Sequence, residues 1–333
     1  MNKTALVTIS DDRFGRKDGK YSETQNKIFG IFYHNFNYGI DLHRHWKWGS
    51  FEQLKVYRDN KVLFDNADAS RNGRAYKPAI ILHELEQLND GDFLIYTDCS
   101  PEIWNMPEDF NIDMNIFDFE ILKQLCVSNN DILTAFVKWD TANIGEKDLG
   151  IHTHKNFTLD RCIDKMNLRF YEDAYMHASG MWVIRKTAAT VKLISEWLHY
   201  NLIDECCAVG WAHIEKDSSF WTGNEEFTKM GCRHDQSISG LLLARTNQKF
   251  IDIVYNDMHP YNFLQFARKD QEYKFIECLP ELEVGDTVIN KQGTTMQVFI
   301  IEKEKGLYQV GQNKASLYAT ERENLKLISK HKL

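Results

Sequence analysis

The stretch "GDFLIYTDCS", residues 91–100, constrains the fold more than any other part of the chain. Its apolar run has no polar alternation, follows a Gly-Asp turn and stops on Asp98. Such a run reads as a strand covered on both faces, and strands of that kind belong mostly to parallel sheets with helices on either side. Open sheets of this class bind ligands at the carboxyl ends of their strands. Asp98 therefore stands where a ligand is expected, although a lone aspartate after a strand can equally cap a turn.

The flanking sequence supplies the other layers. Upstream, "KPAIILHELEQLN" puts Pro78 in a first helical turn, where its missing N–H costs nothing. Ile81, Leu82, Leu85 and Leu88 follow at helical spacing. "TALVTIS" (4–10) reads as a first strand ending in the polar cluster Ser10, Asp11, Asp12 and Arg13. A helix is expected from Glu23 to about Phe32, followed by aromatic-rich connections containing "HRHWKWG". Strands are expected in "DILTAFVKW" (131–139) and "GMWVIRK" (180–186). Helices are expected in "TAATVKLISEWLHYNL", with Val191, Ile194 and Leu198 on one face, and in "DQSISGLLLAR", with Ile238, Leu241 and Leu242. Strands alternating with helices indicate an α/β layered domain. Near residue 280 the texture changes to short β-branched runs between glycine turns, as in "LEVGDTVINKQGTTMQVFIIEKEKGLYQV", which reads as a small antiparallel barrel. The expected division is 1–279 for the α/β domain and 282–330 for the barrel.

Composition narrows the partners. The 333 residues are 43% hydrophobic and carry a net charge of -8, enough apolar material for a large core and the wrong sign for a polyanion partner. Nucleic acid is disfavoured. The seven cysteines form no CxxC pair, no stretch approaches the ~20 apolar residues of a membrane span, and the first residues lack a signal-peptide apolar region. These features read as a cytoplasmic protein with no transmembrane segment, its cysteines mostly buried.

Three segments, "KPAIILHELEQLNDGDFLIYTDCS", "HASGMWVIRK" and "RHDQSISGLLLAR", with the opening "TISDDRFGRKDGKYSETQ", carry a resemblance. Together they resemble a group of bacterial and viral nucleotide-sugar glycosyltransferases of the GT-A fold, over roughly residues 4–260. The tail resembles small SH3-like barrels of the V-G-D-x-V type. The resemblance implies a Rossmann-like mixed sheet flanked by helices. It implies transfer of a sugar from a nucleoside-diphosphate donor, UDP-linked, to a glycan or glycolipid acceptor. Thr8, Ser10, Asp11, Arg13, Lys77, Tyr96 and Asp98 would lie on the donor side, and Ser179, Gly180 and His234 on the sugar or acceptor side. Asp235 and Gln236 would serve the reaction itself.

The family commonly writes D-x-D at the strand end, whereas this chain has Asp98 and Ser100. One carboxylate is retained, and Mn²⁺ or Mg²⁺ can take the rest of its shell from phosphates and water. His259 is the late histidine that the resemblance offers as a second metal ligand. Loss of the second motif acid leaves open a non-catalytic nucleotide-sugar or carbohydrate-binding module. A metal-dependent phosphohydrolase is less consistent, because no second carboxylate cluster is evident.

Asp235 also stands just before an apolar-periodic helix, where aspartate is a favoured N-cap, and Lys77 at a helix start could be merely solvated. The pairs His43/His45 and His152/His154, with Cys232 and His234, lack the spacing of a structural zinc module. Cys206 and Cys207 have no companion base.

Overall fold

The computed structural model describes residues 2–10, 20–33, 39–65, 75–99, 118–136, 153–203, 206, 235–251, 272–282, 284, 286–302, 305, 307–312 and 317–329. A seven-stranded mixed sheet carries the first module. Its strands are β1 (Thr4–Ser10), β2 (Leu42–Lys47), β3 (Phe93–Thr97), β4 (Ile132–Phe136), β5 (His177–Arg185), β6 (Lys249–Ile251) and β7 (Phe275–Glu277), in the order β2-β1-β3-β5-β4-β6-β7. β1 runs parallel to β2 and β3, and β4 parallel to β6, while β5 lies antiparallel between β3 and β4 and β7 antiparallel on β6. The carboxyl ends of β1, β3 and β4 thus share one edge with the amino end of β5.

Both faces are covered. The longer helices are α1 (Lys20–Tyr33), α2 (Tyr76–Gln87), α3 (Phe119–Ser128), α4 (Asp160–Met166), α5 (Ala188–Asn201) and α6 (Asp235–Arg245). Successive residues of a strand point to opposite faces. Val7, Ile9, Leu94 and Tyr96 accordingly join one core with residues of α2, α5 and α6, whereas Leu6, Phe93 and Ile95 join another with Ile28 of α1 and Phe119 and Leu122 of α3. This two-sided burial is why the run before Asp98 has no polar alternation.

Local chemistry sets the connections. Gly91 holds φ at +89°, a left-handed conformation that glycine adopts without a steric penalty, and the adjoining Asp92 carboxylate accepts from the backbone N–H of Lys3 (2.7 Å) and Asn89 (2.9 Å). α5 starts on a capping box, with Thr187 and Thr190 bonding reciprocally.

Several sequence expectations are corrected. "HRHWK" is not a connection but strand β2, because it completes the parallel edge beside β1. β5 begins at His177 rather than Gly180. The buried stripe of α5 is Thr190, Leu193, Ile194, Trp197 and Asn201, so Val191 and Leu198 are only half-buried; the large Trp197 ring takes the centre of the interface. Ile238, Leu241 and Leu242 are buried as expected, along with nearly all of α6.

The second module is a five-stranded antiparallel sheet of β8 (Thr287–Asn290), β9 (Thr295–Glu302), β10 (Leu307–Gly311), β11 (Tyr318–Glu321) and β12 (Leu325–Ser329), in the order β11-β10-β9-β8-β12. It packs its own core of Leu282, Val288, Met296, Val298, Tyr308, Val310 and Leu325. It meets the loop before β5 through Lys326 Nζ and Glu172 (2.8 Å), and Arg322 Nε donates to the Pro280 carbonyl (2.7 Å). Among the described residues no helix is long and apolar enough to cross a membrane.

Candidate functional site

Five of the residues singled out in the sequence converge where the end of β3 and the start of β5 meet α2 and α6. Lys77, in the first turn of α2, is fully buried. Its Nζ lies 3.0 Å from Asp235 Oδ2 and 3.2 Å from Asp98 Oδ2, and it donates to the Ser179 carbonyl at 3.1 Å. A solvated helix-start lysine is therefore ruled out: the ammonium is held by protein carboxylates and a carbonyl. Tyr96 lies beneath, its ring centroid 5.7 Å from Lys77 Nζ and its hydroxyl donating to Asp98 Oδ1 at 2.7 Å. Burial and the neighbouring Asp98 charge hold the Tyr96 phenol well above its ordinary pKa, so it stays a donor.

Asp98 and Asp235 face the same cation with different access. The Asp98 side chain keeps 20% of its exposure and Asp235 only 1%. Apart from Lys77 Nζ, 3.0 Å from Oδ2, the Asp235 carboxylate has no hydrogen-bond partner among the described residues, so this side chain does not cap α6. The aspartate that opens the helix is turned instead to the ion pair with Lys77. A buried carboxylate with so few partners is unusual and calls for an explanation, such as a ligand donor.

The backbone around Asp235 is held from two sides. Its carbonyl accepts from Trp197 Nε1 (2.9 Å) and Ser239 Oγ (2.8 Å), and Trp197 stacks on Trp182 with centroids 4.8 Å apart. Trp182 Nε1 in turn donates to the Ser179 carbonyl at 3.1 Å. Gln236 donates to the His177 carbonyl. Gly180 lies inside β5, where its carbonyl accepts the Asp98 N–H at 2.8 Å. It does not have the positive φ that would demand glycine.

At the end of β1, Thr8 and Ser10 are buried and face Gln25 of α1. Gln25 Nε2 donates to Thr8 Oγ1 (3.0 Å) and to the Trp46 carbonyl (2.8 Å), while Ser10 Oγ donates to Gln25 Oε1 (3.2 Å). Thr8 Oγ1 also lies 3.3 Å from His45 Nδ1. Burial and the charges of His43 and Lys47 pull the His45 pKa down to about 4. Asp11, Asp12, Arg13, Ser100, His152, Cys207, Cys232, His234 and His259 lie outside the described residues.

Gln25, Glu84, His177 and Ser239 were not anticipated. Gln25 sits on the buried face of a helix and Ser239 inside an apolar one, which is the only sequence signal either offers. Glu84 is 5% exposed and takes Trp46 Nε1 (2.8 Å) and Arg44 (3.3 Å).

Among the described residues, no group of three or more His, Cys, Asp or Glu side chains could hold a metal ion. A divalent ion brought in by phosphates needs less. The residues present fit that case alone: Asp98 is a partly exposed carboxylate at a strand end. No family model, curated protein or solved structure was found to match the chain.

Proposed function

We propose that this chain is a GT-A-type glycosyltransferase that moves a sugar from a nucleoside-diphosphate donor, UDP-linked, to a hydroxyl of a glycan or glycolipid acceptor. The observation that carries this reading is the meeting of Asp98, Lys77, Ser179 and Asp235 at one sheet edge, from four separate segments. Ligands of open α/β sheets lie at strand carboxyl ends, and a glycosyl transfer needs what this edge offers. Negative charge grows on the leaving diphosphate while the sugar acquires oxocarbenium character, so the site must separate a cation-holding side from an acceptor side.

Asp98, the more exposed acid, would hold Mn²⁺ or Mg²⁺ together with the donor phosphates, with His259 as the second candidate ligand. The ion when bound supplies charge neutralisation for the leaving diphosphate. Asp235 would accept the hydrogen bond of the acceptor hydroxyl at Oδ1, the oxygen turned away from Lys77. Lys77 holds the two acids at fixed spacing and cross-links α2 to α6. Thr8, Ser10, Asp11 and Arg13 would form the nucleotide side at the end of β1, and His234 and Gln236 would flank Asp235. The five described cysteines are buried.

A second reading is a nucleotide-sugar or carbohydrate-binding module without turnover. It is favoured by the contacts of Asp98, whose two oxygens already meet Tyr96 and Lys77. A screen of nucleotide sugars for slow donor hydrolysis, with and without Mn²⁺, separates the two. Metal-stimulated hydrolysis of one donor supports the transferase. Calorimetric binding of a donor without hydrolysis, across donors and acceptors, overturns it in favour of the module.

A further inference from the structure

His177 is a buried side chain beside the site that is bonded through both ring nitrogens, and the proposed chemistry does not use it. It is fully buried on β5, two residues before Ser179. Its ring packs against Trp182 (centroids 5.0 Å, edge-on) and stacks on Phe250 (5.9 Å). Nε2 lies 2.7 Å from Ser239 Oγ and Nδ1 lies 2.9 Å from Thr134 Oγ1. One ring therefore ties β5, β4 and α6 together.

Counting protons points to one tautomer. Ser239 has one hydroxyl proton, and its other close partners are the carbonyls of Asp235 (2.8 Å) and Gln236 (3.4 Å), which can only accept. Ser239 must then accept from His177, so Nε2 carries the proton. Nδ1 is bare and accepts the Thr134 hydroxyl, whose alternative acceptors, the carbonyls of Ala135 and Ala178, are more distant at 3.4 and 3.5 Å. The neutral Nε2–H ring satisfies both Ser239 and Thr134, while the Ala178 carbonyl, which also faces the ring, favours a ring proton. A second ring proton would compete with the Thr134 hydroxyl, which would have to turn to its more distant carbonyl acceptors.

We infer that His177 is a positioning residue: as a neutral Nε2–H ring it sets the first turn of α6 against β5, and so the approach of Asp235 to Lys77. Ser239 is the connector, since the hydroxyl that accepts from His177 donates to the carbonyl of Asp235 itself. A second contact fixes the same helix. A Cβ on Gly240 would come within 2.3 Å of His154 Nε2 and 3.2 Å of His177 Cδ2, so α6 sits against both rings at van der Waals distance. Burial, with the charges of His154 on the neighbouring short helix and Lys77 on α2, outweighs the hydrogen bond to the Ala178 carbonyl and keeps the His177 pKa well below its ordinary value. Asp235, on α6, meets this ring through its carbonyl and Ser239. The effect on catalysis rests on the proposed role of Asp235; the effect on its placement does not.

The test uses the full chain with His177→Phe, which keeps a ring and removes both nitrogens, His177→Gln, which restores one donor, and the milder Ser239→Ala. In nitrogen-15-labelled protein, His177 should show one protonated and one bare ring nitrogen from about pH 8 to about pH 6. The Lys77 ammonium and Asp235 carboxyl resonances should move in His177→Phe and in Ser239→Ala and return toward wild type in His177→Gln. On a hydrolysed donor, His177→Phe should lower kcat by roughly 10²-fold with KM little changed, the scale of a misplaced group, and His177→Gln should recover about tenfold of it. Unmoved Lys77 and Asp235 resonances in Ser239→Ala, or a doubly protonated ring in this range, overturn the inference whether or not any donor turns over. Absence of turnover with shifted resonances overturns the transferase reading alone. If His177→Phe does not fold, Ser239→Ala decides.

Discussion

Replacing Lys77 by methionine removes the cation between Asp98 and Asp235 while keeping a long apolar stem in the same space. The structure sets the size of the effect. Lys77 is wholly buried and lies 3.0 Å from an aspartate that is itself 1% exposed, with no hydrogen bond to replace the pair. Removing one partner of a buried ion pair costs about 3–5 kcal/mol, because the other charge is left stranded. At about 2 °C per kcal/mol for a chain of this size, the melting temperature should fall by about 6–10 °C. Asp235→Asn should cost less, about 1–2 kcal/mol, since Lys77 keeps Asp98 at 3.2 Å and the Ser179 carbonyl at 3.1 Å. The informative measurement is the double mutant. With Asn at 235 no buried anion is stranded, so Lys77→Met should then cost about 2 kcal/mol less than it does alone. Urea unfolding followed by circular dichroism and tryptophan fluorescence gives all three values. Additive costs, or a Lys77→Met protein within about 1 kcal/mol of wild type, would show that the ion pair does not join α2 to α6 and would refute the reasoning.

Asp98→Asn, at a partly exposed position, should weaken Mn²⁺-dependent donor binding with only a small loss of stability; an unchanged calorimetric metal response refutes its role. Gly240→Ala should destabilise the chain by about 1–3 kcal/mol, measured by thermal unfolding, because the new Cβ would meet His154 at 2.3 Å. Ending the chain after Pro280 should leave a folded donor-binding module, since the large sheet closes with β7 at Glu277, but should lower its melting temperature through loss of the Lys326–Glu172 contact; unfolding of the whole chain would mean a shared core. Stability should also fall with acid before the carboxylates titrate. His45 at about 4 and His177, also depressed, bind fewer protons folded than unfolded, so their contribution is complete above about pH 6.5 and is lost as the pH drops toward the folded values. Melting temperatures between about pH 7 and about pH 5 test this, and the slope should flatten in His45→Gln.

The strand ending at Asp98, the helix that starts with Lys77, the turn at Gly91 and the change of texture near residue 280 were all readable from the chain. Each depends on contacts within a few residues: a two-sided apolar run, helical spacing, a left-handed glycine, an abrupt shift to β-branched runs between turns. The neighbourhood of Asp98, Lys77, Ser179 and Asp235 was indicated only by resemblance, because nothing in local spacing says that residues 77 and 235 touch. Tertiary structure decided what each of them touches there. Asp235 read both as a helix cap and as an acceptor-side acid, and is a buried ion-pair partner; Lys77 read equally as a surface lysine and is fully enclosed. His177, Ser239 and Gln25 gave no usable signal, since a polar side chain in an apolar segment reads the same whether its partner is present or not. Burial of a charge or hydroxyl is settled by the element that arrives opposite it, and that element comes from a distant part of the sequence.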